Sequence, residues 1–142
     1  ILFKLRIKAH FFTSQEYIDK HGVPQNMDDL LANFDLCMYQ NYLNMPECSF
    51  IAKRARHLNT TSDSVGLIFR LIRDGDGVAL LPAWHVQQFP KLVRVPNINF
   101  EYEHIMTVAC NPKLADATKI KAFIKFFEQF CKQNKIPIEK LD

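Results

Sequence analysis

The sequence lacks the clustered ligands that metal sites need. Its four cysteines, Cys37, Cys48, Cys110 and Cys131, lie far apart without a Cys-x-x-Cys pair, and the five histidines complete no ligand set. We therefore predict reduced thiols, no metal and no cofactor. Reduced thiols are typical of a cytoplasmic protein, which is the location that we expect. No signal peptide and no transmembrane run is visible, and we expect no membrane partner.

Clustered basic charge and catalytic motifs are scarce as well. The net charge is +3 and the lysines are scattered, without the basic stripe that follows phosphates. There is no Gly-x-Ser-x-Gly, no carboxylate pair stands out, and His57 and His85 have no nucleophile at motif spacing. These absences argue against nucleic-acid binding by this chain and against an enzyme.

Hydrophobic residues make up 48% of the 142 residues, which is enough for a core. Their spacing predicts strands that alternate with helices. This order predicts an α/β fold with a mixed sheet. Thr13-Ser14-Gln15-Glu16 reads as a capping box that opens a helix ending at Gly22, and Asn26 caps a second helix. The predicted strands cover residues 2–9, 36–39, 49–52, 56–59, 78–81, 92–95 and 103–110, with a loop at 40–48.

The last predicted helix begins after Asp116 as its cap and reaches Gln133. Its apolar residues recur at helical spacing and predict a stripe buried in the core: Ile120, Phe123, Ile124, Phe127 and Phe130.

Residues 62–82 combine a helix, a glycine turn and a buried strand. Thr61, Ser62 and Asp63 supply oxygens that can cap the helix, whose N-terminus suits a carboxylate or another anion. The strand ends at Pro82. This is its C-terminal end, and α/β sheets bind ligands at the C-terminal ends of their strands. A helix cap without any ligand is the alternative.

The order of motifs resembles a known family. Residues 17–24, Tyr-Ile-Asp-Lys-His-Gly-Val-Pro, and 27–30, Met-Asp-Asp-Leu, resemble the "Tyr-Leu…His-Gly-x-Pro…Asp-Leu" passage of LysR-type transcriptional regulators. Residues 61–64 and 75–82 resemble that family's "Ser-x-Asp…Gly-x-Gly-Ile-Ala-x-Leu-Pro". The resemblance covers nearly the whole chain.

This resemblance implies an effector-binding domain with a periplasmic-binding-protein-like fold of type 2, in which crossing strands join two α/β subdomains. Residues 1–12 and 96–142 would be the remnant of subdomain I, and residues 13–95 would be subdomain II with the return crossing. The family's N-terminal helix-turn-helix domain and the opening elements of subdomain I have no counterpart, and the chain opens on Ile instead of Met. We therefore expect a domain truncated at its N-terminus, within a longer protein.

The function implied is a regulatory domain that senses a small anionic effector between its subdomains and modulates transcription. It would form a homo-oligomer through this domain, and DNA would be bound only through the helix-turn-helix domain. The expected effector-binding residues are Phe11, Phe12, Thr13, Gln40, Thr61, Ser62, Asp63 and Pro82. For Phe11 and Phe12, packing in the core is an open alternative. The alternative function is a solute-binding protein of the same fold that serves a transporter.

Overall fold

The computed structural model describes residues 2–114 and 116–140, with the side chain of Lys140 left aside. The strands are β1 (Phe3–Ser14), β2 (Leu36–Tyr39), β3 (Leu58–Ser62), β4 (Val78–Pro82), β5 (Leu92–Arg94), β6 (Tyr102–Val108) and β7 (Ile138–Lys140). The helices are α1 (Gln15–His21), α2 (Met27–Asn33), α3 (Gln40–Leu43), α4 (Ser49–Arg54), α5 (Val65–Arg73), α6 (Ala83–Val86) and α7 (Thr118–Gln133). The predicted mixed α/β fold is confirmed.

The chain divides into two compact units. The large unit is Ala9–Tyr102, and the small unit comprises the described residues of 1–8 and 103–142. The sequence placed its two boundaries after residues 12 and 95. Its proposed ranges also include residues 1, 115, 141 and 142, which lie outside the described residues.

The large unit contains a sheet with the strand order β3-β2-β4-β1-β5. β2 is parallel to both β3 and β4, whereas β1 is antiparallel to β4 and to β5. Consecutive side chains of a strand point to opposite faces, so the central strands supply two cores. Phe11 and Leu80 belong to the core on one face, and Phe12 and Leu81 belong to the core on the other.

One glycine is required where β4 begins. Gly77 has φ of 155°, and a Cβ there would lie 2.6 Å from the carbonyl oxygen of Asp35. That carbonyl accepts the N–H of Val78 at 2.8 Å, so the close approach belongs to the junction of β2 and β4. The φ and the contact together exclude any side chain.

The segment after β2 differs from its prediction. Residues 49–52, predicted as a strand, lie in helix α4, and the predicted loop at 40–48 contains α3 and a 3-10 turn over Pro46–Cys48. Cys48 and Ile51 are fully buried and Ala55 packs on the same core, which is a helical spacing. The prediction was wrong because a run as short as Phe50-Ile51-Ala52 fits a strand or a helix equally well.

In the small unit, α7 packs beside the first residues of β1, where the rings of Phe127 and Phe3 are 5.3 Å apart. The predicted core stripe was wrong, since Phe123 and Phe130 are 44% and 39% exposed. Of the described side chains of α7, only that of Cys131 is buried. Asp116 is not the cap either, because Ala117 occupies that position without a side-chain hydrogen bond.

Among the described residues, no helix has the length and apolar character needed to cross a membrane.

Candidate functional site

The three parallel strands of the large unit end at one edge of the sheet. Ser62 closes β3 opposite Tyr39 of β2, and Pro82 closes β4. Gln40 follows Tyr39 directly as the first residue of α3. We call this surface, formed by Tyr39, Gln40, Thr61, Ser62, Asp63 and Pro82, the strand-end edge. It brings together five of the eight residues that the sequence singled out, at the side of the sheet where α/β folds bind ligands.

The turn from β3 into α5 is built by two serines. The hydroxyl oxygen of Ser62 accepts the N–H of Ser64 at 3.0 Å, and that of Ser64 accepts the N–H of Leu67 at 3.2 Å. Ser64 is therefore the N-cap of α5. The prediction that Thr61, Ser62 or Asp63 caps this helix was wrong, because the pairing of β3 with β2 continues through Ser62 and delays the helix start.

This arrangement leaves hydrogen-bond donors facing outward at the start of α5. Within residues 2–114 and 116–140, the N–H groups of Val65 and Gly66 have no acceptor. The hydroxyls of Ser62 and Ser64 accept hydrogen bonds and can still donate their own hydrogens. Nine residues of α5 add the partial positive charge of a helix N-terminus, so the turn suits an anionic group.

Asp63 sets a limit on this anion site. Its side chain is exposed at the same turn, where a carboxylate repels a second negative charge. An anion held by the N–H groups of α5 must therefore lie on the side of the turn away from Asp63.

Aromatic side chains border the strand-end edge, and the sequence prediction did not include them. The rings of Tyr39 and Tyr42 meet edge to face with centroids 5.3 Å apart, and the hydroxyl of Tyr39 accepts a hydrogen bond from Asn41 at 2.7 Å. Burial raises the pKa of Tyr42 well above its usual value. The signal that could have found them is a pair of tyrosines around the end of a predicted strand.

The structure places Phe11, Phe12 and Thr13 away from this edge. Phe11 and Phe12 are buried in the two cores, which is the packing alternative left open for them. The hydroxyl of Thr13 donates to the carbonyl oxygen of Gly77 at 2.8 Å. Because β1 is antiparallel to β4, Thr13 lies beside Val78, at the start of β4, and Ala9 lies beside Pro82.

His10, one residue from Ala9 on β1, makes a polar contact that the sequence did not indicate. Its ring is buried and its Nε2 lies 2.7 Å from the Oε2 of Glu101. Glu101 is distant in sequence, so no local spacing could have indicated this pair.

The cysteines near the sheet do not form a reactive thiol site or, among the described residues, a metal centre. Burial raises the pKa of Cys37 and of Cys48 to about 11, which keeps both thiols protonated and poorly nucleophilic at neutral pH. In the part of the chain that the structure describes, no three His, Cys, Asp or Glu side chains form a metal-binding group.

Several solved structures of regulatory or effector domains of transcriptional regulators are similar to this chain. The regulatory domain of CrgA, a LysR-type regulator of Neisseria meningitidis, matches at 17% identity with a TM-score of 0.63, over 88% of this chain and 65% of that one. The regulatory domain of AphB from Vibrio vulnificus matches at 18% identity with a TM-score of 0.59, over 89% and 66%. The effector domain of AmpR from Pseudomonas aeruginosa matches at 16% identity with a TM-score of 0.55, over 92% and 63%.

The fold is therefore that of the LysR-type regulatory domains, which is periplasmic-binding-protein-like, as the resemblance in sequence implied. The chain spans slightly less than two thirds of the length of these domains and 45% of full-length CrgA. No family model and no curated protein matches the chain.

Proposed function

We propose that the chain is the ligand-sensing part of a LysR-type transcriptional regulator and that the strand-end edge binds a small anionic effector. The observation that carries the proposal is the start of α5, where two unpaired N–H groups and two serine hydroxyls lie at the ends of parallel strands. The fold shared with regulatory domains supports a sensing role over catalysis.

The effector acts by preferring one conformational state of the regulator, since a ligand shifts an equilibrium only through its different affinities for the two states. The parent regulator is cytoplasmic, forms a homo-oligomer through this domain and binds DNA through a separate helix-turn-helix domain. Gln40 and Pro82 line the effector beside the serines, whereas Phe11, Phe12 and Thr13 support the sheet from inside.

The test is calorimetry with an organic anion selected by a thermal-shift screen of carboxylates and phosphate esters. Ser62→Ala removes a hydroxyl donor and should weaken binding while costing about 1 kcal/mol of stability or less. Ser62→Asp should weaken binding further, because it places a negative charge beside the unpaired N–H groups.

Asp63→Asn is the matched control of opposite sign and should strengthen the binding of the same anion, since it removes a repelling charge. Unchanged affinity in all three variants would make the two serines turn-forming residues only, and would place the effector site elsewhere.

A further inference from the structure

A cavity with polar walls lies within the large unit, apart from the strand-end edge. It has a volume of about 460 Å³, and its walls include Ser14, Glu16, Arg73, Pro90, Lys91 and Val93. These residues come from the end of β1, the start of α1, the end of α5, the segment that leads into β5, and β5 itself. We call it the Ser14 cavity.

The Ser14 cavity lies at the opposite edge of the sheet from the strand-end edge. Ser14 is the last residue of β1, and its neighbour Thr13 pairs with Val78 at the start of β4. Arg73 is the last residue of α5, whose first turn adjoins Ser62 and Ser64. At 1.5 Å per residue, the nine residues of α5 separate the two places by roughly 14 Å.

The charges of this cavity favour an anion. Arg73 and Lys91 contribute two positive charges, and Glu16 contributes one negative charge. Glu16 also has an ion-pair partner on its own helix, because its Oε1 lies 3.3 Å from the Nζ of Lys20. The Nε of Arg73 lies 3.4 Å from the carboxylate of Asp74, and among the described residues its terminal nitrogens have no partner.

A buried hydroxyl adds a donor. Ser14 is 2% exposed and its oxygen accepts the N–H of Tyr17 at 3.1 Å. Its own hydrogen has no acceptor among the residues that the structure describes. A carboxylate oxygen in the cavity would supply that acceptor.

An apolar cavity adjoins the Ser14 cavity. It has a volume of about 220 Å³, shares Arg73, Pro90 and Lys91 with the larger one, and adds the ring of Phe89. Phe89 is held in place by a stacked contact with the buried ring of Phe69, with centroids 4.9 Å apart. Cationic groups at the junction of a polar and an apolar space suit a molecule with one charged end and one apolar end.

We propose that the two adjoining cavities bind a small carboxylate with a short apolar tail, with the carboxylate held by Arg73, Lys91 and Ser14 and the tail on Pro90 and Phe89. This site goes beyond the proposed function and does not rest on it, since it shares no residue with the strand-end edge.

The experiment is an NMR titration of the 142-residue chain with hexanoate, with hexanamide and acetate as matched ligands. Hexanoate should shift the amide signals of Ser14, Lys91 and Val93. Hexanamide lacks the charge and acetate lacks the tail. Each should therefore bind at least roughly tenfold more weakly than hexanoate. Equal binding of hexanamide, or shifts confined to other residues, would overturn the proposal.

Charge variants test the assignment of the residues. Arg73→Gln and Lys91→Gln should each weaken hexanoate binding about three- to tenfold, and Glu16→Gln should strengthen it. Arg70→Gln is the control, because Arg70 is exposed on the same helix and does not line either cavity. Equal effects of Arg70→Gln and Arg73→Gln would indicate unspecific attraction and would contradict the site.

Ser62→Ala separates this site from the proposed effector site, since it should leave hexanoate binding unchanged. Loss of hexanoate binding in Ser62→Ala would mean that hexanoate occupies the strand-end edge, and would also overturn the proposal.

Discussion

Asp35 joins several elements of the large unit through hydrogen bonds. Its carboxylate accepts hydrogen bonds from the hydroxyl of Tyr17 at 3.1 Å and from the side-chain amide of Asn59 at 2.8 Å. Its backbone N–H donates to the Tyr17 oxygen at 3.0 Å, and its carbonyl accepts the N–H of Val78 at 2.8 Å. One residue thus ties α1, β3 and β4 to the start of β2.

We predict that Tyr17→Phe lowers the free energy of unfolding by about 1–2 kcal/mol, because it leaves the N–H of Asp35 without its acceptor. Burial raises the pKa of Tyr17 to about 12, whereas an unfolded tyrosine ionises near pH 10. The stability that this tyrosine contributes is therefore complete below pH 10 and is lost as the pH rises from 10 to 12.

Urea unfolding of the unsubstituted chain and of Tyr17→Phe from pH 8 to 11.5 measures this effect. The difference in free energy of unfolding between the unsubstituted chain and Tyr17→Phe should shrink above pH 10, because Tyr17 ionises there in the unfolded chain. Tyr39→Phe is the control, because the hydroxyl of Tyr39 accepts its hydrogen bond from the exposed amide of Asn41, and the expected change is below about 0.5 kcal/mol. A difference that stays constant with pH would contradict the raised pKa of Tyr17.

Single residues could be predicted from the sequence where their hydrogen bonds are local. Asn26 caps α2 as predicted, with its side chain accepting the N–H of Asp29, and Gly75 has the positive φ of 87° expected after α5. The cap of α5 could not be chosen, because residues 60–64, Thr-Thr-Ser-Asp-Ser, all carry side-chain oxygens. The choice of Ser64 depends on where the pairing with Tyr39 ends, which is a tertiary contact.

Helices and strands, like single residues, could be predicted from the sequence where their signals are local. The strand predicted at residues 36–39 and the helix capped by Asn26 have the bounds expected or nearly so, since each has clear end signals. β1 continues through Ser14, although the sequence ended it at residue 9, because residues 9–14 pair with β4 and β5 and are buried on both faces. Strands covered on both faces lose the alternation on which the prediction depended.

Helix α7 offers a matched pair of phenylalanines. Phe127 is half-buried against the fully buried ring of Phe3, whereas Phe126 is 64% exposed. We predict that Phe127→Ala lowers the free energy of unfolding by about 2 kcal/mol, less than the 3–5 kcal/mol that is typical of a fully buried phenylalanine.

Phe126→Ala should change that free energy by less than about 0.5 kcal/mol in the same urea melts. Equal losses in the two variants would show that the exposed face of α7 is covered in solution.

At the scale of the whole chain, the two units differ in how much apolar surface they bury. In the large unit, α5 has three fully buried residues among nine, Ile68, Phe69 and Ile72. In the small unit, the described side chains of α7 include one buried residue among sixteen positions. The sequence predicted the order of the elements but not this imbalance, since burial of the α7 stripe depends on partners that hydrophobic periodicity does not identify.

We predict that the small unit opens before the large unit. Native-state hydrogen exchange should give lower opening free energies for the amides of α7 than for those of α5 and β4, because helix stability in proteins comes mainly from packing of the apolar face. As the urea concentration rises, the exchange rates of the α7 amides should increase before those of the α5 and β4 amides. Identical free energies for α5 and α7 would instead indicate one cooperative transition.

The stacked rings of Trp84 and His85 in α6 provide an intrinsic fluorescence signal. Trp84 is the only tryptophan of the sequence, and its ring lies parallel to that of His85, with centroids 5.0 Å apart. Burial lowers the pKa of His85, so the imidazole is neutral at neutral pH and becomes a fluorescence quencher only in more acidic solution than free histidine requires. Trp84 follows Pro82, a residue of the strand-end edge, by two positions, so we expect its emission to change when that edge is occupied, without an attached dye.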